Sequence, residues 1–173
     1  MSETKTPLRL AGVIRESIVD GPGIRMTVFV QGCPHHCKGC HNQHTWDFDG
    51  GYDSSVERVL EEAAKDKLLS GVTLSGGEPF TQAKSLTVLA ERAHEMGLNV
   101  FCYTGYTFEQ LWAQFDRHPE YRELLEQCDW LVDGRFIEEE MSLMLHFRGS
   151  RNQRILNVKE SLAQGKAVLS EYN

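Results

Sequence analysis

The stretch IRMTVFVQGCPHHCKGCHN, Ile24–Asn42, changes character in its middle. Its first eight residues, through Gln31, are mostly apolar, β-branched or aromatic, which predicts a buried strand. Its last eleven hold three cysteines, three histidines and two glycines, a loop composition rich in metal ligands. A strand that runs straight into such a loop raises two questions for the whole chain: whether the pattern repeats, and whether the loops meet.

The pattern does repeat. Upstream, residues 9–18 read as a first strand and Asp20–Gly23, DGPG, as a turn. Downstream, residues 45–53, TWDFDGGYD, read as loop, and Ser54–Leu69 has the serine start and near-3.6 apolar spacing of a helix. Gly71–Phe80 is a short strand ending in a glycine turn, and Ala83–Gly97 a helix closed by its glycine. A strand follows at residues 98–106, two helical stretches at 108–115 and 120–128 separated by His118 and Pro119, a strand and turn at 129–136, and a last strand with a short helix at 153–162.

Strand, loop and helix in alternation predict an α/β fold with a mostly parallel sheet and helices packed on it. An eight-unit barrel takes ~250 residues, so 173 leave room for roughly five or six units. The expectation is a partial, open β/α barrel, one domain over residues 1–173, with a flatter doubly wound sheet as the rival. Both bind ligands at the carboxyl ends of the strands. The cysteine loop, SGGEP (Ser75–Pro79), YTGY (Tyr103–Tyr106) and VDGRF (Val132–Phe136) should therefore converge at one end.

Composition narrows the function. Eighteen Lys and Arg against 25 Asp and Glu give a net charge of −7, a poor basis for neutralising nucleic-acid phosphates. The N-terminal MSETKTPLRLAG has no apolar core of a signal peptide, and no stretch approaches the ~20 apolar residues of a membrane span. A soluble, cytoplasmic protein is expected, and in a reducing compartment clustered cysteines bind metal or react rather than form disulfides.

Cys33, Cys37 and Cys40 are spaced C-x3-C-x2-C. Zinc would close on three of these thiols plus His35, His36 or His41, but the second knuckle of a structural zinc site is missing. A redox dithiol of Cys37 and Cys40 would sit in an unusual Gly- and His-rich loop. A [4Fe–4S] cluster normally takes four thiolates, so three leave one iron open. Cys102 and Cys128 stand apart and read as small buried hydrophobes.

DGPGIRMTVFVQGCPHHCKGCHN, continued by HTWDFDGG and SGGEP, resembles the signature of radical S-adenosylmethionine (SAM) enzymes that activate glycyl radical enzymes. TLSGGEPF, YTGY, LVDGRF and FRGSRNQR most resemble the group serving anaerobic ribonucleoside-triphosphate reductase, and the likeness runs from about Ile14 to Val158. Gly39 stands where many radical SAM proteins have an aromatic residue, a departure this group tolerates.

The resemblance implies a barrel of the radical SAM type and a [4Fe–4S] cluster on Cys33, Cys37 and Cys40 whose open iron binds SAM. Reductive cleavage would give a 5′-deoxyadenosyl radical that takes a hydrogen atom from a glycine of anaerobic ribonucleotide reductase, so no side-chain acid or base is required. Reduced flavodoxin or a similar donor would supply the electron. Gly39, Cys40, His41, Gly76, Gly77 and Glu78 are the candidate SAM contacts. The glycines would bring free backbone groups close to the ligand, although SGGEP alone also suits an ordinary turn. Thr104 and Asp133 are a candidate monovalent-cation pair, the alternative being hydrogen bonds that fix two turns. His35 and His36 read as solvent-facing spacers, and the arginines of residues 148–154 as a solvated loop or a docking patch. The other readings are an activase of another glycyl radical enzyme, such as pyruvate formate-lyase, and a non-catalytic iron–sulfur or zinc protein.

Overall fold

The structure is a computed structural model that describes residues 5–173; residues 1–4, the start of the expected domain and of the N-terminal stretch read for a leader, lie outside the described residues. Seven strands form one sheet: β1 Pro7–Ser17, β2 Arg25–Val30, β3 Tyr52–Ser55, β4 Gly71–Gly76, β5 Asn99–Tyr103, β6 Trp130–Asp133 and β7 Arg154–Asn157. Their order is β3-β1-β2-β4-β5-β6-β7, and the sheet is open. β2, β4, β5 and β6 pair in parallel, with β2 and β4 in register from Arg25↔Gly71 to Val30↔Gly76. β1 and β7 run the other way, and β3, antiparallel to β1, points with the central four.

The sheet is mostly parallel, as expected, and its antiparallel pairs lie at the two ends. Only residues 18–24 join β1 to β2, too few for the dozen or more that a parallel crossover needs, so the pair closes as a hairpin around the DGPG turn. Between β6 and β7 the structure has a 3₁₀ turn at Glu138–Glu140 but no α-helix to carry the chain over the sheet. β3 straddles two readings: Tyr52 and Asp53 fall in the stretch read as loop, Ser54 and Ser55 in the start of the expected helix. The strand has little alternation of its own and forms by pairing with β1, Leu10↔Tyr52 to Pro7↔Ser55.

The helices are α1 Val56–Ala64, α2 Ala83–Glu95, α3 Phe108–Ala113, α4 Pro119–Gln127 and α5 Val158–Gln164. α1 starts where Ser55 accepts from the Arg58 N–H at 3.2 Å. It stops five residues before the expected Leu69, because Lys65 and Asp66 bond back three residues and close the last turn. α3 opens on a capping box in which Thr107 and Gln110 satisfy each other's backbone N–H.

Side-chain alternation assigns the two faces of the sheet. Met26, Val28, Val30, Val72, Leu74, Val100, Cys102 and Leu131 join one core with buried residues of all five helices. The alternate residues Phe101, Val132 and Ile155 form a separate small cluster with Phe147 and Tyr172. The helices therefore cover one face, whereas a doubly wound sheet carries them on both, so the flatter rival is set aside. Leu74 and Leu131 are wholly buried, and either changed to Ala should cost about 2–5 kcal/mol. No described helix is long and apolar enough to cross a membrane.

Candidate active site at the carboxyl ends of the strands

The parallel pairing puts the carboxyl ends of β2, β4, β5 and β6 side by side, and the cysteine loop leaves the first of them. Gly32 turns the chain at φ +105°, a conformation L side chains rarely adopt. Its N–H donates to the Thr45 carbonyl at 2.6 Å, and that of Cys33 to the Trp46 carbonyl at 3.2 Å. From the β4 side, Gly77 N–H donates to Val30 O and Glu78 N–H to Gly32 O, both at 2.8 Å. This approach requires glycine: a Cβ on Gly77 would lie 2.3 Å from the Gly32 carbonyl oxygen, and one on Gly76 2.4 Å from the Val30 nitrogen. The N–H of Gly77, expected to be free for a ligand, is thus already used, with that of Glu78, to seat the loop.

All five cysteines are free thiols; Cys33 is buried, Cys37 and Cys40 half-buried. Burial pushes the Cys33 and Cys37 thiols up. Backbone N–H groups of His35 and His36 oppose this at Cys33, and that of Phe136 at Cys37. Asn42 N–H donates to Cys40 Sγ at 3.4 Å. Among the described residues no three His, Cys, Asp or Glu side chains gather as a ready single-ion site. A cubane asks for a different arrangement, one thiolate at each of separate iron corners.

Beside the loop, on the helix-free face, lies a cavity of about 510 Å³ whose lining includes Cys40, His41, Ser75, Phe29, Tyr103 and Phe136. That volume suits a small-molecule ligand. Another hollow, about 590 Å³ between Arg9 and Lys84, has no thiol in its lining. Of the candidate SAM contacts, Cys40 and His41 line the cavity, while Gly39, Gly76, Gly77 and Glu78 are not part of its lining. Gly39, at φ +77°, packs beneath the Glu138 side chain.

The model of the 4Fe-4S single cluster domain matches residues 19–156. The anaerobic ribonucleoside-triphosphate reductase-activating protein of Vibrio cholerae is 38% identical over 146 residues, covering 80% of this chain and 90% of that protein. Its namesake from Haemophilus influenzae is 35% identical over 150 residues, covering 82% and 93%. The chain belongs to this family. The relative from Escherichia coli is 31% identical over 82% of this chain and 94% of its own length. Among solved structures, QueE from Escherichia coli covers 58% of this chain and 53% of that one at 19% identity, with a TM-score of 0.46.

In this family member, residues that looked incidental in the sequence hold the site together. His35 is no solvent-facing spacer: its side chain is 4% exposed and its Nε2 lies 2.6 Å from Glu78 Oε1. His36 is exposed, yet stacks on Trp46 with ring centroids 4.4 Å apart. Glu78 is wholly buried and accepts from Phe80 N–H, Gly105 N–H and the Thr104 hydroxyl. Asp133 faces elsewhere, accepting from Arg154 Nε at 3.0 Å and from Phe108 N–H at 2.8 Å. The structure thus links Thr104 to Glu78 and Asp133 to Arg154. Cys102 and Cys128 are buried in the core, as their isolation in the sequence suggested.

Arg25 is fully buried, and burial lowers its guanidinium to about 10. It donates to Thr73 Oγ1, to the Pro22 carbonyl and to the Val72 carbonyl at 2.8, 2.9 and 3.0 Å, tying the DGPG turn to β4. An arginine in a strand reads as exposed or ion-paired; that carbonyls and a hydroxyl hold it depends on chain segments distant in sequence.

Proposed function

We propose that this chain is a radical SAM activase that installs a glycyl radical on anaerobic ribonucleotide reductase. Membership of the family whose relatives bear that name supports the reading. The observation that carries it is a loop of three free thiols at the carboxyl end of β2, beside a ligand-sized cavity to which Cys40 contributes. The donor set suits a [4Fe–4S] cluster: Cys33, Cys37 and Cys40 would hold three irons and leave the fourth for SAM. When bound, cluster and SAM supply reductive cleavage at the sulfonium and hydrogen-atom abstraction from a glycine of the reductase.

The chain's own work is to seat and orient. Gly76 and Gly77 let β4 approach β2 closely enough to fix where the cysteine loop begins. Cys40 and His41, with Ser75 and Tyr103, would line the pocket that takes SAM; Gly39, Gly76, Gly77 and Glu78, outside that lining, would support it by fixing the course of the cysteine loop. Helices on one face of an open sheet support a partial barrel of the radical SAM type, acting as one domain over residues 1–173. A monovalent cation at Thr104 and Asp133 belongs to the same reading and would compete with Glu78 and Arg154 for those side chains. Reduced flavodoxin in a reducing cytoplasm is the matching electron source.

The reading is tested by incubating reconstituted protein with SAM, dithionite and the reductase under anaerobic conditions. A glycyl radical signal on the reductase, absent with Cys37→Ser, is expected. No radical on the reductase, or an equal signal on pyruvate formate-lyase, would overturn the assignment.

A further inference from the structure

His35 occupies the spacer of the Cys33–Cys37 segment, but its ring is driven away from solvent into the joint between β4 and β5. Three contacts define its seat. Nε2 lies 2.6 Å from Glu78 Oε1. The ring meets Tyr106 edge-on with centroids 4.6 Å apart. Gly105 passes so close that a Cβ there would lie 2.4 Å from His35 Cδ2.

Glu78 is a rigid anchor. Its carboxylate takes the Phe80 N–H at 3.1 Å, the Gly105 N–H at 2.8 Å and the Thr104 hydroxyl at 2.9 and 3.0 Å. Such a carboxylate accepts once more from the histidine, so Nε2 carries the hydrogen. Charge-assisted hydrogen bonds in a dry site are short and strong, and the side chains that hold a metal loop from behind govern how tightly it keeps its metal.

We propose that His35 is the positioning residue of the cysteine loop: a peg, locked to Glu78 and seated against Gly105, that holds Cys33 and Cys37 in the geometry that retains the cluster. The inference rests on the cluster reading above and adds a residue outside the ligand set. It assigns Gly105 to the same device, since only a glycine leaves room for the ring.

The test uses three variants reconstituted anaerobically with iron and sulfide beside the wild-type chain. His35→Ala removes the peg, His35→Gln keeps a donor at a similar reach, and Gly105→Ala crowds the ring without removing any polar group. Two quantities are read on the loaded proteins: the rate of iron loss to a chelator, and the electron paramagnetic resonance of the reduced cluster with and without SAM. His35→Ala and Gly105→Ala should lose iron about 10–100-fold faster, in line with the outer-shell partners of metal ligands. Their spectra should broaden or respond weakly to SAM, and His35→Gln should return both readouts towards wild type.

Wild-type rates and spectra in His35→Ala, or a His35→Gln variant no better than alanine, would overturn the inference. Should His35→Ala fail to fold, Gly105→Ala decides it by the same readouts. A wild-type chain that takes up no iron overturns the cluster reading itself, whereas a loaded wild type with unaffected variants overturns this inference alone.

Discussion

Arg154 and Asp133 are direct register partners across β7 and β6, with guanidinium Nε 3.0 Å from Oδ1 and Nη2 against Oδ2. Asp133 is nearly fully buried and also caps α3 through the Phe108 N–H, so one carboxylate joins two strands and a helix. Asp133 and Glu109 together hold the Arg154 guanidinium protonated even more firmly than usual.

Asp133→Ala should therefore destabilise the fold, leaving the Phe108 N–H without its acceptor and Arg154 with Glu109 alone. A loss of roughly 2 kcal/mol is expected, below the about 3–5 of a wholly buried pair because Arg154 remains partly open to water. Urea unfolding measures it. The same variant decides the cation: SAM cleavage unchanged with and without potassium would remove a monovalent cation at Asp133 from the account.

The acid limb of stability should respond to Glu109. Its carboxyl lies below the ordinary 4.5, first through the hydrogen bond from Arg154. A depressed acid stabilises the fold fully above its unfolded value and loses that contribution as pH falls through its folded value. Glu109→Gln should thus be weaker than wild type at about pH 7 by less than 1 kcal/mol, given its exposure, and the gap should close below about pH 4. Urea midpoints across that range test the sign.

Glycine substitutions separate close approach from mere flexibility. Gly77→Ala sets a methyl 2.3 Å from the Gly32 oxygen, so the loop must shift and iron loading should fall sharply. Gly12→Ala meets nothing within 4 Å and should load as wild type does. Iron content after identical reconstitution compares the two.

Arg25→Lys should fail to replace arginine. An ammonium cannot offer the planar fork that reaches Thr73, Pro22 and Val72 together. A loss of about 2–4 kcal/mol is expected, from buried acceptors left unmade and a charge no longer spread over its partners. Urea unfolding at neutral pH measures it.

The parallel centre was legible because β2, β4, β5 and β6 carry strong apolar runs before glycine-marked turns. The antiparallel edges were legible only in part: DGPG was read as a turn without the hairpin it closes, and nothing local in Tyr52–Ser55 marks a strand. The three cysteines declared themselves by spacing. His35 did not, because its partners Glu78 and Gly105 lie 43 and 70 residues away and a histidine between cysteines looks like a ligand or a spacer. The SGGEP glycines were read for the freedom they lend to ligand contacts; their structural role is to let two backbones touch.

The central claim is that Cys33, Cys37 and Cys40 carry a cluster that cleaves SAM. Its most direct measurement is anaerobic reconstitution with iron and sulfide, followed by dithionite and SAM, with metal content and 5′-deoxyadenosine determined on one sample. The account predicts about four irons per chain, the content of one [4Fe–4S] cluster, and deoxyadenosine that disappears in Cys33→Ser, Cys37→Ser and Cys40→Ser. Stoichiometric zinc with no deoxyadenosine would contradict it.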